Sequence, residues 1–102
     1  MQRQVEAYNA HDLDGFLACY AEDVVVEDAR GAVTMRGKEE LREAFGRLFS
    51  EFPAVHVEVP TRIRIGEYVI DEEQISGREQ PLHAVVVYHV CDDGIDHMRV
   101  IR

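Results

Sequence analysis

The sequence is short of the residues on which metal, redox and nucleic-acid chemistry usually depend. It has two cysteines, Cys19 and Cys91, and neither belongs to a CxxC or CxxH motif. Both are therefore predicted to be free thiols, not metal ligands or a redox pair. Eleven Lys and Arg residues stand against twenty Asp and Glu, which gives a formal net charge of -9. Because this charge repels phosphate groups and anionic lipids, we expect neither nucleic acid nor a membrane surface as a partner.

Long apolar runs are also absent. No stretch approaches the roughly 20 residues of a membrane-spanning helix, and no charged-then-apolar leader opens the sequence. We therefore expect a cytoplasmic protein. The 102 residues suit a single domain, 1–102, with one core. Hydrophobic residues at 46% and charged residues at 30% are typical of a globular chain.

The first half of the sequence has helical periodicity. A short helix is predicted over residues 2–9, and Asp12 is a suitable N-cap for a second helix. The second helix has an apolar stripe formed by Leu13, Phe16, Leu17 and Tyr20. A third helix begins at Gly37 and ends before Pro53. Its apolar residues recur at i, i+3, i+4, i+7, i+8 and i+11: Leu41, Ala44, Phe45, Leu48, Phe49 and Phe52.

Strand patterns fill the rest of the chain. Val24-Val25-Val26 predicts a strand that leads to Asp28, and Gly31 allows a turn into a short partner strand at 33–35. Residues 55–65 carry Val, Thr or Ile at every odd position, which predicts one buried and one wet face along the whole strand. Three more strands are predicted over 68–76, 83–91 and 95–101. The strand over 83–91 is apolar on both faces, so we expect it to be central and covered twice.

Charged residues on two neighbouring strands allow two interpretations. Arg62 and Arg64 could pair across the sheet with Asp71 and Glu73. Alternatively, this side of the sheet could be a dimer surface. The long strands offer more sheet than three helices can cover, so we expect a homodimer.

Helices followed by a strand meander indicate a segregated α+β fold. The simplest assembly is a curved antiparallel sheet wrapped around three N-terminal helices. A sheet that curls around helices without closing leaves a conical cavity at one end. Such a cavity is a natural ligand pocket.

The chain resembles the SnoaL-like and ketosteroid-isomerase-like branch of the nuclear transport factor 2 (NTF2-like) superfamily, whose fold is an NTF2-like or cystatin-like cone. The similarity covers nearly the whole chain and is carried by the segments 8–16, 20–24, 26–28, 37–41, 87–90 and 93–95. For function it is less specific than for fold, because the superfamily includes isomerases, polyketide cyclases, hydrolases and proteins without chemistry.

The resemblance implies a role for several residues. Asp28 falls on the general base of the isomerases, and Tyr20 on a supporting member of their tyrosine network. Gln4 stands where those enzymes have the oxyanion-hole tyrosine, and Phe45 where they have a third tyrosine. The second oxyanion donor maps to Val86 or a neighbour. Because a buried donor at a developing oxyanion is commonly worth about 3 to 4 kcal/mol, we do not expect efficient steroid isomerisation.

The resemblance and strand parity together predict the residues that line the pocket: Gln4, Tyr8, Phe16, Tyr20, Met35, Phe45, Phe49, Val86, Tyr88 and Met98. Four histidines, at positions 56, 83, 89 and 97, have no helical i, i+4 pairing, so no metal site is predicted. His97 could reach either the pocket or a sheet edge. No cofactor is predicted.

Two functions follow. The first is a SnoaL-like pocket protein, an isomerase-like or cyclase-like enzyme that uses Asp28 as a general base on a small apolar carbonyl compound. The second is a non-catalytic module for small-ligand binding or dimerisation. Asp28 itself allows both, since an Asp at a strand end often accepts turn amides and stays ionised.

Overall fold

Three helices lie on one side of a six-stranded sheet. The structure, a computed structural model, describes residues 1–102. The helices are α1 (Gln2–Asn9), α2 (Leu13–Leu17) and α3 (Gly37–Glu51). None of them is long and apolar enough to cross a membrane. The predicted cap of α2 is present, because Asp12 Oδ1 accepts a hydrogen bond from the Gly15 amide at 3.1 Å.

Helix α2 is shorter than predicted. It ends at Leu17, and Tyr20 is the first residue of a strand. The last strand of the chain captures this segment, since the Ile95 amide donates to the Cys19 carbonyl at 2.9 Å and Tyr20 pairs with Ile95. Tyr20 is nevertheless buried. The apolar spacing therefore identified a core residue but assigned it to the wrong element.

The strands are β1 (Tyr20–Glu27), β2 (Val33–Arg36), β3 (His56–Ile65), β4 (Tyr68–Ser76), β5 (Leu82–Cys91) and β6 (Gly94–Ile101). They form one sheet in the order β2-β1-β6-β5-β4-β3. All neighbours are antiparallel except β1 and β6, which run parallel. The α+β architecture is thus confirmed, with a mixed and mostly antiparallel sheet.

Strand β5 is central, as predicted, but only one of its faces is fully covered. Ala84, Val86 and Tyr88 are buried on the concave face, beneath the helices. Val85 and Val87 point to the outer face and are half-buried. The expectation of cover on both faces is therefore wrong for the single chain.

A bulge at Pro60 reverses the alternation of β3. The register against β4 shifts between Glu58 and Thr61. Proline has no amide hydrogen for the ladder and is tolerated in sheets at bulges and edges. Val57, before the bulge, is buried on the concave face, whereas Ile63, beyond it, is 48% exposed. The prediction that every odd residue of 55–65 is buried fails at this point.

The reversal brings Arg62 onto the concave face, beside Asp71 of β4. Arg62 Nε lies 2.7 Å from Asp71 Oδ1, and Arg62 Nη2 lies 2.9 Å from Asp71 Oδ2. Asp71 is completely buried. The predicted charge pairing between these strands therefore exists in part. Half-buried Arg62 and buried Asp71 form a bidentate pair on the inner face, whereas Arg64 and Glu73 form no ion pair.

We expect Arg62→Met to destabilise the protein by about 3 to 5 kcal/mol, because it leaves the buried Asp71 carboxylate without a countercharge. The double variant Arg62→Met/Asp71→Leu should recover most of that loss, since it removes both charges and keeps apolar volume. Urea denaturation of the three proteins measures the difference. Equal stability of wild type and Arg62→Met would show that Asp71 does not depend on this arginine.

Candidate functional site

A cavity of about 620 Å³ lies between the helices and the concave face of the sheet. Of its 25 lining residues, 17 are hydrophobic, which suits a small and largely apolar ligand. Exposed residues, among them Arg30, Arg78 and Arg102, surround the open end. Its other end is formed by four buried side chains, those of Gln4, Tyr20, Glu73 and Tyr88, and we call these the buried end.

Nine of the ten residues predicted to line a pocket lie on this cavity wall: Gln4, Tyr8, Phe16, Tyr20, Met35, Phe45, Val86, Tyr88 and Met98. The tenth, Phe49, does not. Its ring stacks on His11 at a centroid distance of 4.9 Å and meets the edge of Tyr8 at 5.4 Å. His11 is held in turn by the Val55 carbonyl, 2.8 Å from its Nε2. Phe49 therefore fills the contact between α1 and α3 instead of facing the cavity.

Asp28 lies on the cavity wall, directly after β1. Its Oδ1 accepts hydrogen bonds from the amides of Arg30 at 2.9 Å and Ala32 at 3.0 Å. Gly31 has the predicted positive φ, 86°, that lets the turn close around the carboxylate. Asp28 Oδ2 makes no hydrogen bond within the chain. One oxygen thus serves the turn and the other is available to a ligand.

The buried end is a chain of hydrogen bonds. Gln4 Nε2 donates to the Tyr20 hydroxyl at 3.0 Å and approaches the Tyr88 hydroxyl at 3.5 Å. The Tyr88 hydroxyl donates to Glu73 Oε2 at 2.9 Å. Tyr20 in turn contacts Met98 Sδ at 3.9 Å. Gln4 Oε1 is buried without a hydrogen-bond partner, which is uncommon for an amide oxygen.

Burial dominates the electrostatics at this end of the cavity. It raises the pKa of Glu73 to about 7, although the Tyr88 hydrogen bond and the positive charge of Arg62 act in the opposite direction. Burial also raises the pKa of Tyr8 to about 12 and keeps Tyr20 and Tyr88 protonated well beyond neutral pH. Near neutrality, Glu73 is thus the buried-end residue whose charge is open to change.

Sequence reasoning missed Glu73 as a site residue. Strand β4 carries acids at both parities, so its own pattern does not reveal which ones face inward. The register with β5 does, because Val69, Asp71 and Glu73 stand opposite the inward-facing Tyr88, Val86 and Ala84. Tyr88 was predicted only as a lining residue. It places a hydroxyl group two positions along β5 from Val86, the residue to which the second oxyanion donor of the isomerases maps.

The histidines do not line the cavity. His97, whose position the sequence left open, lies on the outer face with its Nε2 3.2 Å from Glu27 Oε1. His89 lies between Asp96 at 2.6 Å and Glu67 at 3.0 Å, and these hydrogen bonds raise its pKa. No group of three or more His, Cys, Asp or Glu side chains is arranged to hold a metal ion.

The family and the fold can now be assigned. The sequence profile of the SnoaL-like domain matches residues 1–98. The chain belongs to the SnoaL-like family. The resemblance noted from the sequence is thereby confirmed.

Several solved structures have the same fold. An uncharacterised cystatin-fold protein from Novosphingobium aromaticivorans is 28% identical, with a TM-score of 0.89 over 99% of this chain and 93% of its own. An NTF2-like protein of unknown function from Cytophaga hutchinsonii is 15% identical, with a TM-score of 0.80 over 97% and 82%. A Catenulispora acidiphila protein with a ketosteroid-isomerase-like fold, solved in complex with trimethylamine, is 20% identical, with a TM-score of 0.75 over 97% and 81%. The SnoaL-like chain therefore has the NTF2-like cone.

We expect Glu73→Gln to stabilise the protein increasingly as the pH rises. Between the ordinary glutamate pKa of 4.5 and the folded value of about 7, the unfolded chain has released its proton while the folded chain still holds it. Wild-type stability therefore falls with pH across this window, and the neutral glutamine avoids the loss. The gap between the two proteins should widen by about 2 kcal/mol from pH ~5.5 to ~8.

Urea denaturation at the two pH values measures this gap. Glu58→Gln is a matched control, because Glu58 is exposed on β3 and is not on the cavity wall. A gap for Glu73→Gln that stays constant with pH would contradict the raised pKa.

Proposed function

We propose that this protein binds a small, largely apolar carbonyl compound in its cavity and that Asp28 moves a proton on it as a general base. One observation carries the proposal. The cavity has an apolar wall, a half-buried carboxylate at one end, and a cluster of phenol, amide and carboxyl groups at the other. A few polar groups in an apolar pocket are typical of sites that orient a small substrate.

The proton transfer uses both ends of the cavity. Asp28 Oδ2 takes a proton from a carbon next to the ligand carbonyl, and the electron pair moves onto the carbonyl oxygen. Hydrogen-bond donors at the buried end stabilise the charge on that oxygen. Asp28 then returns the proton to a different carbon, which completes an isomerisation. Tyr20 supports this route, because its hydroxyl accepts a hydrogen bond from Gln4 and its own proton meets only Met98 Sδ at 3.9 Å.

Small-ligand binding by related folds is in keeping with this proposal. The Catenulispora acidiphila protein forms a complex with trimethylamine, a molecule much smaller than the cavity described above. No cofactor or metal is needed for the proposed steps, since a carboxylate and hydrogen-bond donors suffice for enolisation.

A non-catalytic ligand-binding module is the second candidate, and the geometry of Asp28 favours it. Asp28 Oδ1 accepts two amides of the turn at 2.9 and 3.0 Å, an arrangement that maintains the β1–β2 hairpin. In that case Asp28 shapes the open end of the pocket without reacting. The two candidates share the cavity and differ in what Asp28 does.

We expect Asp28→Asn to lower the rate on activated β,γ-unsaturated ketones by about 100-fold or more, in line with the usual contribution of a general base. Asparagine retains Oδ1 as an acceptor for the Arg30 and Ala32 amides, so the turn should stay intact. The measurement is the rate of enone formation by ultraviolet absorbance. Asp23→Asn is the matched control, because Asp23 is an exposed residue of β1 outside the cavity wall.

Equal rates for wild type and Asp28→Asn, both near the buffer background, would show that Asp28 is a turn residue. The non-catalytic module would then be the better description. Loss of activity in Asp23→Asn as well would indicate damage to the strand and not to a base.

We also propose that the outer face of the sheet joins two copies of the chain. Ile63 and Ile65 are 48% and 64% exposed, and Tyr68 and Ile101 lie on the same side at 49% and 41%. Half-exposed Val85 and Val87 connect them across β5. The face also carries charges of both signs, such as Glu27 and Arg99, so it can complement itself about a two-fold axis.

Light scattering at tens of micromolar should therefore give twice the mass of the 11.7 kDa chain. Ile65→Glu should shift the protein to the monomer, because it places a charge in the apolar part of the face. Arg47→Glu, an exposed change on α3, should leave the mass unchanged. A wild-type mass equal to one chain would end the dimer proposal.

A further inference from the structure

The buried end contains a carboxyl group that the proposed base does not use. Glu73 is only 8% exposed and lies on the cavity wall. The Tyr88 hydroxyl, which donates to Glu73 Oε2 at 2.9 Å, is its one hydrogen-bond partner within the chain. Glu73 Oε1 makes no hydrogen bond. A buried carboxyl oxygen on a cavity wall is well placed to meet a ligand.

No cation neutralises Glu73. The guanidinium of Arg62, whose charge acts on Glu73, is held by both oxygens of Asp71, two residues earlier on β4. Arg78 also lines the cavity, but it is exposed and its guanidinium lies 5.4 Å from the centre of the Phe52 ring. Glu73 thus differs from Asp71, whose charge is already balanced.

The groups around Glu73 come from five elements, and burial raises the pKa of the three tyrosines among them, so these stay protonated near neutral pH. Tyrosines surround it from α1, β1 and β5, and the Arg62–Asp71 pair lies beside it on β3 and β4. The other acids on the cavity wall are Asp28, at the open end, and Glu27, whose carboxylate is held on the outer face by Arg99 and His97. No histidine lines the cavity. Glu73 is therefore the group at the buried end that changes its charge when the pH is varied around neutrality.

We infer that Glu73 determines which class of ligand the buried end binds. With its carboxyl group protonated, Glu73 donates a hydrogen bond from Oε1 to a ligand carbonyl, while Oε2 accepts from Tyr88. With the group ionised, Glu73 Oε1 accepts a hydrogen bond from a ligand ammonium, while Oε2 keeps its hydrogen bond from Tyr88. The inference rests on the proposed small-ligand pocket but not on catalysis by Asp28.

Both states are accessible near neutrality, because burial places the pKa of Glu73 at about 7. A carbonyl ligand binds only the protonated fraction, so its apparent affinity falls as the pH rises through this value. An ammonium ligand binds the ionised fraction and shows the opposite slope. The affinities of the two ligand classes thus depend on the protonation of Glu73 in opposite directions.

Acetophenone and α-methylbenzylamine make a matched pair of probes, since they share one carbon skeleton and differ in the polar group. The amine remains protonated across the range of interest. Their dissociation constants for the intact protein are measured by ligand-observed NMR at pH ~5.5 and ~8.5. We expect acetophenone to bind about 30-fold more weakly at the higher pH and the amine to bind about 30-fold more tightly.

Variants show which residue causes the pH dependence of the two dissociation constants. Glu73→Gln carries no titrating proton, so both slopes should vanish, whereas Asp28→Asn should keep them. The wild type alone offers a check that needs no variant. Carbon NMR of the glutamate carboxyl groups should show one residue that titrates near pH ~7. Its titration midpoint should move to a higher pH with acetophenone and to a lower pH with the amine.

Three outcomes would overturn the inference. Slopes that persist in Glu73→Gln assign the proton to another group. Flat profiles in the wild type, with both probes bound, leave the pocket in place and remove the role of Glu73. If neither probe binds at either pH, the proposed small-ligand function fails together with the inference.

Discussion

The bidentate ion pair between Arg62 and Asp71 sets the charge balance on the concave face of the sheet. Strand β4 directs two acids, Asp71 and Glu73, into an otherwise apolar interior, and the Pro60 bulge turns one arginine inward to meet them. A buried carboxylate needs a countercharge or a proton. Because Asp71 binds Nε and Nη2 of Arg62, Glu73 has no paired cation, and burial raises its pKa to about 7. The bulge therefore gives Asp71 a countercharge and leaves Glu73 without one, so that Glu73 can change its protonation state near neutral pH.

The same residues form the core and line the cavity, so tight packing of the core and a large cavity volume cannot both be achieved. Helices of eight, five and fifteen residues are too few to fill the concave side of a six-stranded sheet. Tyr8, Phe16 and Tyr88 therefore pack against their neighbours on one side and face open volume on the other. Unfilled apolar volume costs stability, so the chain retains a cavity at the expense of packing.

Most of the fold was predictable because it depends on periodic patterns. The helical stripes, Asp12 as a cap and the strand meander were recovered within one or two residues, except where sheet pairing drew Tyr20 out of α2. The site was less accessible. Its wall follows from family resemblance, but the inward direction of Asp71 and Glu73 depends on pairing with β5, and that of Arg62 on the register shift at Pro60. Alternation within one strand cannot reveal either.

The two carboxyl groups of the cavity are held in different ways, and the difference separates their tasks. Asp28 is half-buried, with one oxygen bound to two turn amides, whereas Glu73 is buried and bound to one phenol. An acid and a base can act on one substrate only when their environments keep them in different protonation states. If Asp28 does not react, Glu73 still faces any ligand at the buried end. The proposed ligand recognition by Glu73 and the proposed catalysis by Asp28 are thus physically separable, since Glu73 lies in the interior of the sheet and Asp28 in the turn at its edge.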